Sequence, residues 1–208
     1  MSLLKDYFSQ TKKPEGFMGK MMIKGMNAGH GRMAAWGLSN LPAMNPVSIT
    51  DLGCGGGKNA EELLKRYENS KVTAIDYSPL SVEQTMKLNQ QEIQNGRCKA
   101  IQGNVSSLPL EDEAFDFATA FETIYFWPGP LESFKEVYRI LESGGKFLIV
   151  NECDGTNKKD DKWVNMIDGM TIYSKETLKS YLLEAGFKDV TIFHDEKKHW
   201  IAFLSEKA

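Results

Sequence analysis

The residues best suited to chemistry in this chain form a short run in which an acid precedes spaced glycines. Asp51, Gly53, Gly55 and Gly57 follow the pattern D-x-G-x-G-x-G, and Lys58 comes next. Glycines let the backbone turn sharply and approach a ligand without interference from a Cβ atom. Amide N–H groups at the start of a following helix can then contact the ligand, while a carboxylate beside them favours a cation. The run predicts a ligand site with an acidic side.

Two phosphate-binding motifs fit this run poorly. A P-loop requires G-x-x-x-x-G-K-[ST], but Leu52 and Asn59 occupy its first glycine and its hydroxyl position. A dinucleotide fingerprint requires G-x-G-x-x-G, but Lys58 occupies its third glycine. Asp51 would also repel a pyrophosphate. A cationic ligand is favoured over both alternatives.

Strands and helices are predicted to alternate around this run. Apolar and β-branched runs predict strands at residues 47–52, 71–76, 99–103, 117–121, 146–150, 190–194 and 200–204. Apolar residues at helical spacing, with caps such as Ser174, predict helices at residues 58–67, 79–94, 131–141 and 175–185. Residues 151–163 are polar and predict a loop. The last two strands form a hairpin, which a nicotinamide-binding Rossmann fold would lack.

Asp76 ends the second predicted strand, about 20 residues beyond the glycines. At this distance a βαβ unit brings a carboxylate to a ribose, whose hydroxyl groups donate hydrogen bonds to it. Alternatively, Asp76 caps the helix that begins at Pro79. We favour ribose binding.

Together these features resemble the class I S-adenosylmethionine-dependent methyltransferases. The acid-and-glycine run has the spacing of that family's first motif, and residues 136–146, with Gly144 and Gly145, resemble its late helix, double-glycine turn and fifth strand. The resemblance implies an α/β, Rossmann-like, doubly wound sheet of seven mostly parallel strands. The last strand is antiparallel and lies between the fifth and sixth.

The resemblance also implies a cofactor, S-adenosylmethionine, and a set of contacts to it. Those contacts come from the glycine turn, the second strand end, the turn after the third strand and the end of the fourth strand: Asp51, Gly53, Cys54, Gly55, Asp76, Tyr77, Ser78, Asn104, Val105 and Phe121. Asn104 replaces an acid that is frequent in the family. Its amide oxygen can still accept a hydrogen bond from the adenine amino group, or it can satisfy its own turn.

Candidate catalytic residues are His30, Glu122 and Tyr125, with Tyr173 as a further possibility. A base is needed only if the methyl acceptor has a proton to lose. Glu122 and Tyr125 follow the fourth strand, where open α/β sheets bind ligands. The aromatic run that includes Tyr125 could contact the cofactor's sulfonium or form ordinary core. Motifs of the base-, glutamine- and C5-cytosine-methylating classes are absent here.

Residues 1–41 precede the first strand and are rich in methionine. Met18, Met22, Met26 and Met33 share helical spacing, which predicts one or two amphipathic helices broken near residues 27–31. This segment packs on the core, covers the site as a lid, or does both. We expect residues 1–41 to form a helical cap and residues 42–208 to form the methyltransferase domain.

Composition limits the function. The 208 residues are 41% hydrophobic and 25% charged, and the net charge of −3 argues against a protein that binds nucleic acid through its phosphates. Three widely spaced cysteines predict neither disulfides nor zinc binding, and no apolar stretch could span a membrane. We expect a cytoplasmic monomer or homodimer.

No His, Asp or Glu residues have metal-ligand spacing, which predicts metal-independent transfer.

The predicted function is methyl transfer to an unidentified small molecule by in-line displacement. A sensor or scaffold that binds the cofactor without catalysis is the first alternative, and a uniformly apolar acceptor pocket would favour it. A nicotinamide-dependent oxidoreductase is the second.

Overall fold

A computed structural model describes residues 3–208, with side chains from Asp6 onward. Its seven strands are β1 (Ser48–Leu52), β2 (Lys71–Asp76), β3 (Cys98–Gln102), β4 (Phe115–Phe121), β5 (Leu141–Asn151), β6 (Phe187–Asp195) and β7 (Trp200–Lys207). They form one sheet in the order β3-β2-β1-β4-β5-β7-β6. Strands β1 to β5 pair in parallel, and β7 is antiparallel to both of its neighbours. The predicted fold class is confirmed, including the insertion of the last strand.

Helices cover both faces of the sheet. They are α1 (Leu3–Ser9), α2 (Gly16–Gly29), α3 (Gly31–Ser39), α4 (Lys58–Arg66), α5 (Pro79–Leu88), α6 (Gln90–Gln94), α7 (Pro130–Ile140), α8 (Asp161–Met166) and α9 (Lys175–Glu184). Helices α3 and α4 pack in one apolar core, and α7 and α9 pack in the other. Successive strand side chains point to opposite faces, so Phe117 belongs to the first core and Ala118 to the second. No helix in residues 3–208 is both long enough and apolar enough to cross a bilayer.

The predicted break in the N-terminal helices is confirmed. His30 lies between α2 and α3, and its backbone N–H donates to the Met26 carbonyl at 3.1 Å. Helix α1 precedes them and was not predicted. Its sequence is too short for helical periodicity to stand out.

Four local predictions differ from the structure. The predicted helix at residues 79–94 divides at Asn89, whose side-chain amide donates to the Gly57 and Thr85 carbonyls at 3.1 Å each. Strand β5 begins at Leu141, which pairs with Phe115; the pairing with β4 then skips the glycine turn and resumes at Lys146. The predicted loop at 151–163 contains a 3₁₀ turn and the start of α8. Val47 precedes β1 and is 62% exposed, whereas we expected a buried strand residue.

Candidate active site

One cavity of about 540 Å³ opens where β1, β2, β4 and β5 end. The carboxyl ends of parallel strands are the usual ligand site in such sheets, and this volume is typical of small-molecule pockets. The glycine turn after β1 forms one wall. Residues of α1, α2 and the break at His30 form another, so the N-terminal segment lies against the same space as the turn.

The glycine turn is held against the end of β2. The backbone N–H groups of Gly53 and Cys54 both donate to the Ile75 carbonyl, at 2.8 and 2.9 Å. Gly53 has φ +78°, and a Cβ atom there would lie 2.1 Å from Thr123 Oγ1. Gly55 has φ +54°, and a Cβ atom there would meet nothing within 4 Å. Gly53 therefore packs against the protein, while Gly55 leaves open space beside the cavity that a ligand can fill.

Asp76 lines the cavity and is only 8% exposed. Its Oδ2 accepts the Gly55 N–H at 2.9 Å, and its Oδ1 accepts the Ser78 N–H at 2.9 Å. Burial raises the pKa of Asp76 to about 6 against these hydrogen bonds. A carboxylate has about four acceptor positions, so two protein donors leave capacity for a ligand diol. The alternative that Asp76 caps helix α5 is wrong, because Ser78 is the N-cap residue of that helix. Asp76 instead orders the glycine turn and faces the cavity, so ribose binding stays a prediction.

Asp51 does not line the cavity but lies behind the glycine turn, 1% exposed. Its Oδ1 accepts the Thr119 hydroxyl at 2.9 Å, and its Oδ2 has no hydrogen-bond partner among the described residues. Burial raises the pKa of Asp51 to about 7, Thr119 opposes the rise and Asp76 adds to it. Asp51 therefore acts on the cavity through its charge from behind the turn and not through a direct contact, and a negative charge there favours a cationic ligand group. This fits a cofactor with an ammonium.

Tyr77 and Ser78 connect the end of β2 to the N-terminal segment. Tyr77 lines the cavity, and its hydroxyl donates to the Lys12 carbonyl. Ser78 lies outside the cavity lining and is fully buried; its Oγ donates to the Pro14 carbonyl at 2.8 Å and caps α5 by accepting the Ser81 N–H. The position of Ser78 favours a structural role over direct cofactor contact.

The remaining predicted cofactor residues, Cys54, Asn104, Val105 and Phe121, all line the cavity. Asn104 Oδ1 accepts hydrogen bonds from the Ser106 N–H at 3.1 Å and from the Ser106 hydroxyl at 3.0 Å. The asparagine therefore does satisfy its own turn, which was one of the two interpretations. Burial raises the pKa of the Cys54 thiol, so it is a packing residue and not a nucleophile.

His30, Glu122 and Tyr125 all line the opposite side of the same cavity. Glu122 Oε1 accepts the Tyr125 hydroxyl at 3.0 Å and also accepts the Glu152 N–H. Burial and the Glu152 carboxylate raise the pKa of Glu122 to about 8. Burial lowers the pKa of His30, although Glu152 opposes that change. The structure thus brings all three catalytic candidates into one cavity, together with a second acid, Glu152.

Glu152 is the important residue that sequence reasoning missed. It directly follows β5, and a position just beyond a strand at this edge of the sheet was the available signal. One imidazole nitrogen of His30 and one carboxylate oxygen each of Glu122 and Glu152 lie within 4.8 Å of one another. Sequence spacing could not reveal this group because its members come from three distant segments.

The other candidates lie elsewhere. Tyr173 is absent from the cavity lining and packs edge-on against Tyr181. His194 and His199 are absent from the cavity lining, and both donate to the buried Asp154 carboxylate. An apolar cluster completes the cavity wall beside Glu122 and Tyr125; its members are Phe8, Tyr125, Phe126, Cys153, Trp163, Ile167 and Met170.

Comparison with known proteins agrees with this arrangement. A family model described as a methyltransferase domain matches residues 50–149. The chain is 29% identical over 146 residues to 2-methyl-6-phytyl-1,4-hydroquinone methyltransferase 1 of Oryza sativa subsp. japonica; the match covers 70% of the chain and 42% of the rice protein. It is 25% identical to the uncharacterized methyltransferase YdaC of Bacillus subtilis (strain 168), over 82% of the chain and 89% of YdaC. The chain thus spans less than half the length of the rice relative.

The fold is shared with solved structures. A chain in the complex between the Haloferax volcanii Trm112 methyltransferase activator and a candidate methyltransferase superposes with a TM-score of 0.81 at 17% identity, over 99% of this chain and 98% of that one. The region matched by the family model, residues 50–149, contains the glycine turn, Asp76 and the end of β4, whereas β5 ends just beyond it at Asn151. Residues 50–149 therefore match a methyltransferase-domain family, and the whole chain shares its fold with a chain from a solved methyltransferase complex.

Proposed function

We propose that the protein transfers a methyl group from S-adenosylmethionine to a small molecule with an apolar or aromatic body. The observation that carries this proposal is the shared cavity. The glycine turn and Asp76 form one part of its wall, and His30, Glu122 and Tyr125 form another. Donor and acceptor could therefore meet in one enclosed space, as in-line transfer requires.

The donor side requires binding and orientation. Gly55 leaves room for close approach, Asp76 can accept hydrogen bonds from a diol, and Asp51 supplies negative charge behind the turn. S-adenosylmethionine, when bound, supplies a methyl group on a cationic sulfonium that departs as a neutral thioether. No acid, base or metal is needed on the donor, so we propose a displacement without metal contact to the donor.

The acceptor side combines apolar walls with a few polar groups. Phe8, Phe126, Trp163, Ile167 and Met170 can bind an apolar body and exclude water from it. Glu122, positioned by Tyr125, and His30 are placed to bind the reacting group and, if it carries a proton, to accept it. The rice relative is named for a phytyl-substituted hydroquinone, and an acceptor of that apolar, oxygen-bearing kind suits these walls.

We also propose that residues 1–41 act as a lid on the domain formed by residues 42–208. Phe8, Met26 and His30 reach the cavity from this segment. The cavity walls described here all come from one chain, which is compatible with a monomer or a homodimer. The net charge of −3 supports a small molecule over a nucleic acid as the acceptor.

The polar acceptor side argues against the sensor alternative. A binding protein without chemistry would be expected to have a uniformly apolar acceptor pocket, whereas His30, Glu122 and Glu152 lie in this one. Antiparallel β7, inserted between β5 and β6, argues against the nicotinamide alternative.

Calorimetric titration with S-adenosylhomocysteine tests the donor site. We expect saturable binding, and Asp76→Ala should weaken it at least about tenfold, or about 1.4 kcal/mol, because ribose hydroxyl groups lose their acceptor. Glu83→Ala, on the exposed side of the neighbouring helix α5, is the matched control and should bind like wild type. Absence of saturable binding to the wild-type protein would refute the proposal.

Transfer itself is tested with metabolite extracts. The protein is incubated with S-adenosylmethionine and extract, and mass spectrometry searches for compounds that gain the mass of one methyl group. We expect the gain to require both the protein and the cofactor. Tight binding of S-adenosylhomocysteine without any methylated product across polar and apolar extracts would instead support the sensor alternative.

A further inference from the structure

The group formed by His30, Glu122 and Glu152 has the composition of a metal site. The three side chains are half-buried, line the cavity, and offer ligand atoms within 4.8 Å of one another. They come from the α2–α3 break and from the ends of the adjacent strands β4 and β5. One imidazole and two carboxylates form a mixed nitrogen and oxygen donor set, which suits first-row divalent ions.

Glu122 is held in place at a conformational cost. It has φ +57°, a left-handed conformation that is unfavourable for a non-glycine residue. Its backbone N–H donates to the Val150 carbonyl at 2.9 Å, and its carboxylate accepts the Tyr125 hydroxyl and the Glu152 N–H. Such strain persists where the surroundings determine the position of a functional group. The backbone and Tyr125 thus aim the Glu122 side chain at the cavity.

Tyr125 extends this support to the chain beyond β5. Its hydroxyl donates to Glu122 and accepts the Cys153 N–H at 3.0 Å. The Glu152 N–H bonds to Glu122, so one network sets the relative position of both acids. A network of this kind around ligand side chains is the usual support of a metal site.

The charge of the group is not balanced by the protein. The charged neighbours that act on Glu122 are Glu152 and Asp160, and both are acidic. Within residues 6–208, whose side chains the structure describes, no lysine or arginine forms an ion pair with Glu122 or Glu152, and the His30 ring makes no hydrogen bond. Two unpaired carboxylates in a half-buried cavity are unfavourable, and a divalent cation would offset them.

We propose that His30, Glu122 and Glu152 bind one divalent transition-metal ion of the Mn²⁺, Fe²⁺ or Zn²⁺ class. Mg²⁺ and Ca²⁺ prefer oxygen ligands alone, which disfavours them at an imidazole. Three protein ligands leave coordination positions open toward the cavity, where an acceptor oxygen could bind and become more acidic. The site belongs to the acceptor side of the cavity, where the bound metal would replace His30 and Glu122 as the group that activates an acceptor oxygen. Metal binding itself does not depend on methyl transfer.

Calorimetry and electron paramagnetic resonance with MnCl₂ alone test the proposal on the full chain after treatment with a chelator. We expect one Mn²⁺ per chain, and spin-echo modulation from one imidazole nitrogen. Glu122→Gln and Glu152→Gln should each weaken binding at least about tenfold, and His30→Gln should also abolish the nitrogen modulation. Zn²⁺ should compete with Mn²⁺ for the site.

Two controls keep the test decisive. Glu196→Gln, on the exposed turn of the terminal hairpin, should bind Mn²⁺ like wild type. Thermal unfolding and S-adenosylhomocysteine titration of each variant separate loss of the metal site from loss of fold, and they test the donor site independently. The proposal is wrong if wild type binds no Mn²⁺ at millimolar concentration, or if folded variants of all three residues keep wild-type affinity. Binding with no nitrogen modulation would also overturn it.

Discussion

Three carboxyl groups with raised pKa values lie in the cavity wall or directly behind it. Asp51, Asp76 and Glu122 end or follow adjacent strands, and burial is the main cause of the raised pKa in each case. Buried acids are expensive for a fold unless a partner offsets them. Described protein groups satisfy them only partly, so ligands with positive charge or hydroxyl donors are the natural complement. A ligand of this kind needs both close approach to the backbone and acidic partners, which explains why glycines and acids occur together at the turn after β1.

Gly55 offers a direct test of the donor wall. Gly55→Ala and Gly144→Ala both place a methyl group in open space at positive φ, so each should cost about 1 kcal/mol in the free energy of unfolding. For a chain of this length the melting temperature should fall by about 2–4 °C in both variants. Only Gly55 lines the cavity, so only Gly55→Ala should weaken S-adenosylhomocysteine binding, by at least about tenfold in calorimetry.

Gly144 is the matched control because it has φ +79° and lies far along the chain, in β5. Equal affinities of the two variants for S-adenosylhomocysteine would show that the ligand does not approach Gly55. That result would move the donor site away from the turn.

Helix α3 is packed into an apolar core, and the segment before it also makes a few polar contacts with the domain at the cavity. Tyr77 and Ser78 donate to the Lys12 and Pro14 carbonyls, and the Asn27 amide donates to the Gly56 carbonyl at 3.4 Å. Phe8 of α1 also packs edge-on against Trp163 of α8. These contacts join the proposed lid to the glycine-turn side of the cavity and to its apolar side. Its closure should therefore respond to cofactor binding.

Tyr77→Phe tests this coupling. The substitution keeps the ring and removes the hydroxyl that donates to the Lys12 carbonyl. This loss should destabilise the closed position of the N-terminal segment by about 1 kcal/mol relative to an open position. We expect faster hydrogen exchange in residues 10–20 and a dissociation constant for S-adenosylhomocysteine raised about fivefold. Tyr181→Phe, on α9, is the control because its ring packs against Tyr173 outside the cavity lining. Identical exchange in wild type and Tyr77→Phe would contradict a hydrogen-bonded lid.

The terminal hairpin completes the sheet, and two of its histidines also hydrogen-bond to one buried acid, Asp154, just beyond the end of β5. The Asp154 carboxylate accepts hydrogen bonds from His194 at 2.8 Å and His199 at 3.2 Å, and it also accepts the Thr156 N–H at 2.9 Å. Burial would raise the pKa of Asp154, but these bonds outweigh burial and lower it to about 2. This junction connects the strand end that carries Glu152 to the last two strands. It therefore contributes to the stability of the whole fold.

Asp154→Asn should reveal this contribution through its pH dependence. A depressed carboxyl pKa stabilises the folded state fully above the unfolded value of 3.8, and the stabilisation disappears as pH falls through about 2. At pH 5 we expect the variant to lose about 2 kcal/mol in urea unfolding, and the difference from wild type should shrink between pH 4 and pH 2.5. A difference that stays constant over this range would show that Asp154 acts without its charge.

Much of the fold was predictable because its signals are local. Alternating strands and helices, the glycine turn and the final hairpin all follow from apolar periodicity and turn residues that are neighbours in the chain. The errors are also local. Asn89 divides a predicted helix by bonding to Gly57, a partner that no propensity of its own segment could reveal.

The donor side of the cavity followed from neighbouring residues, because the acid, the glycines and Asp76 lie in one βαβ unit whose geometry is regular. The acceptor side did not. His30, Glu122 and Glu152 belong to three segments that meet only when the helical break covers the ends of β4 and β5. The position of Asp51 behind the cavity wall likewise depends on packing against Thr119. Motif spacing reports the geometry of one local unit, whereas the distance between remote segments depends on how the layers pack.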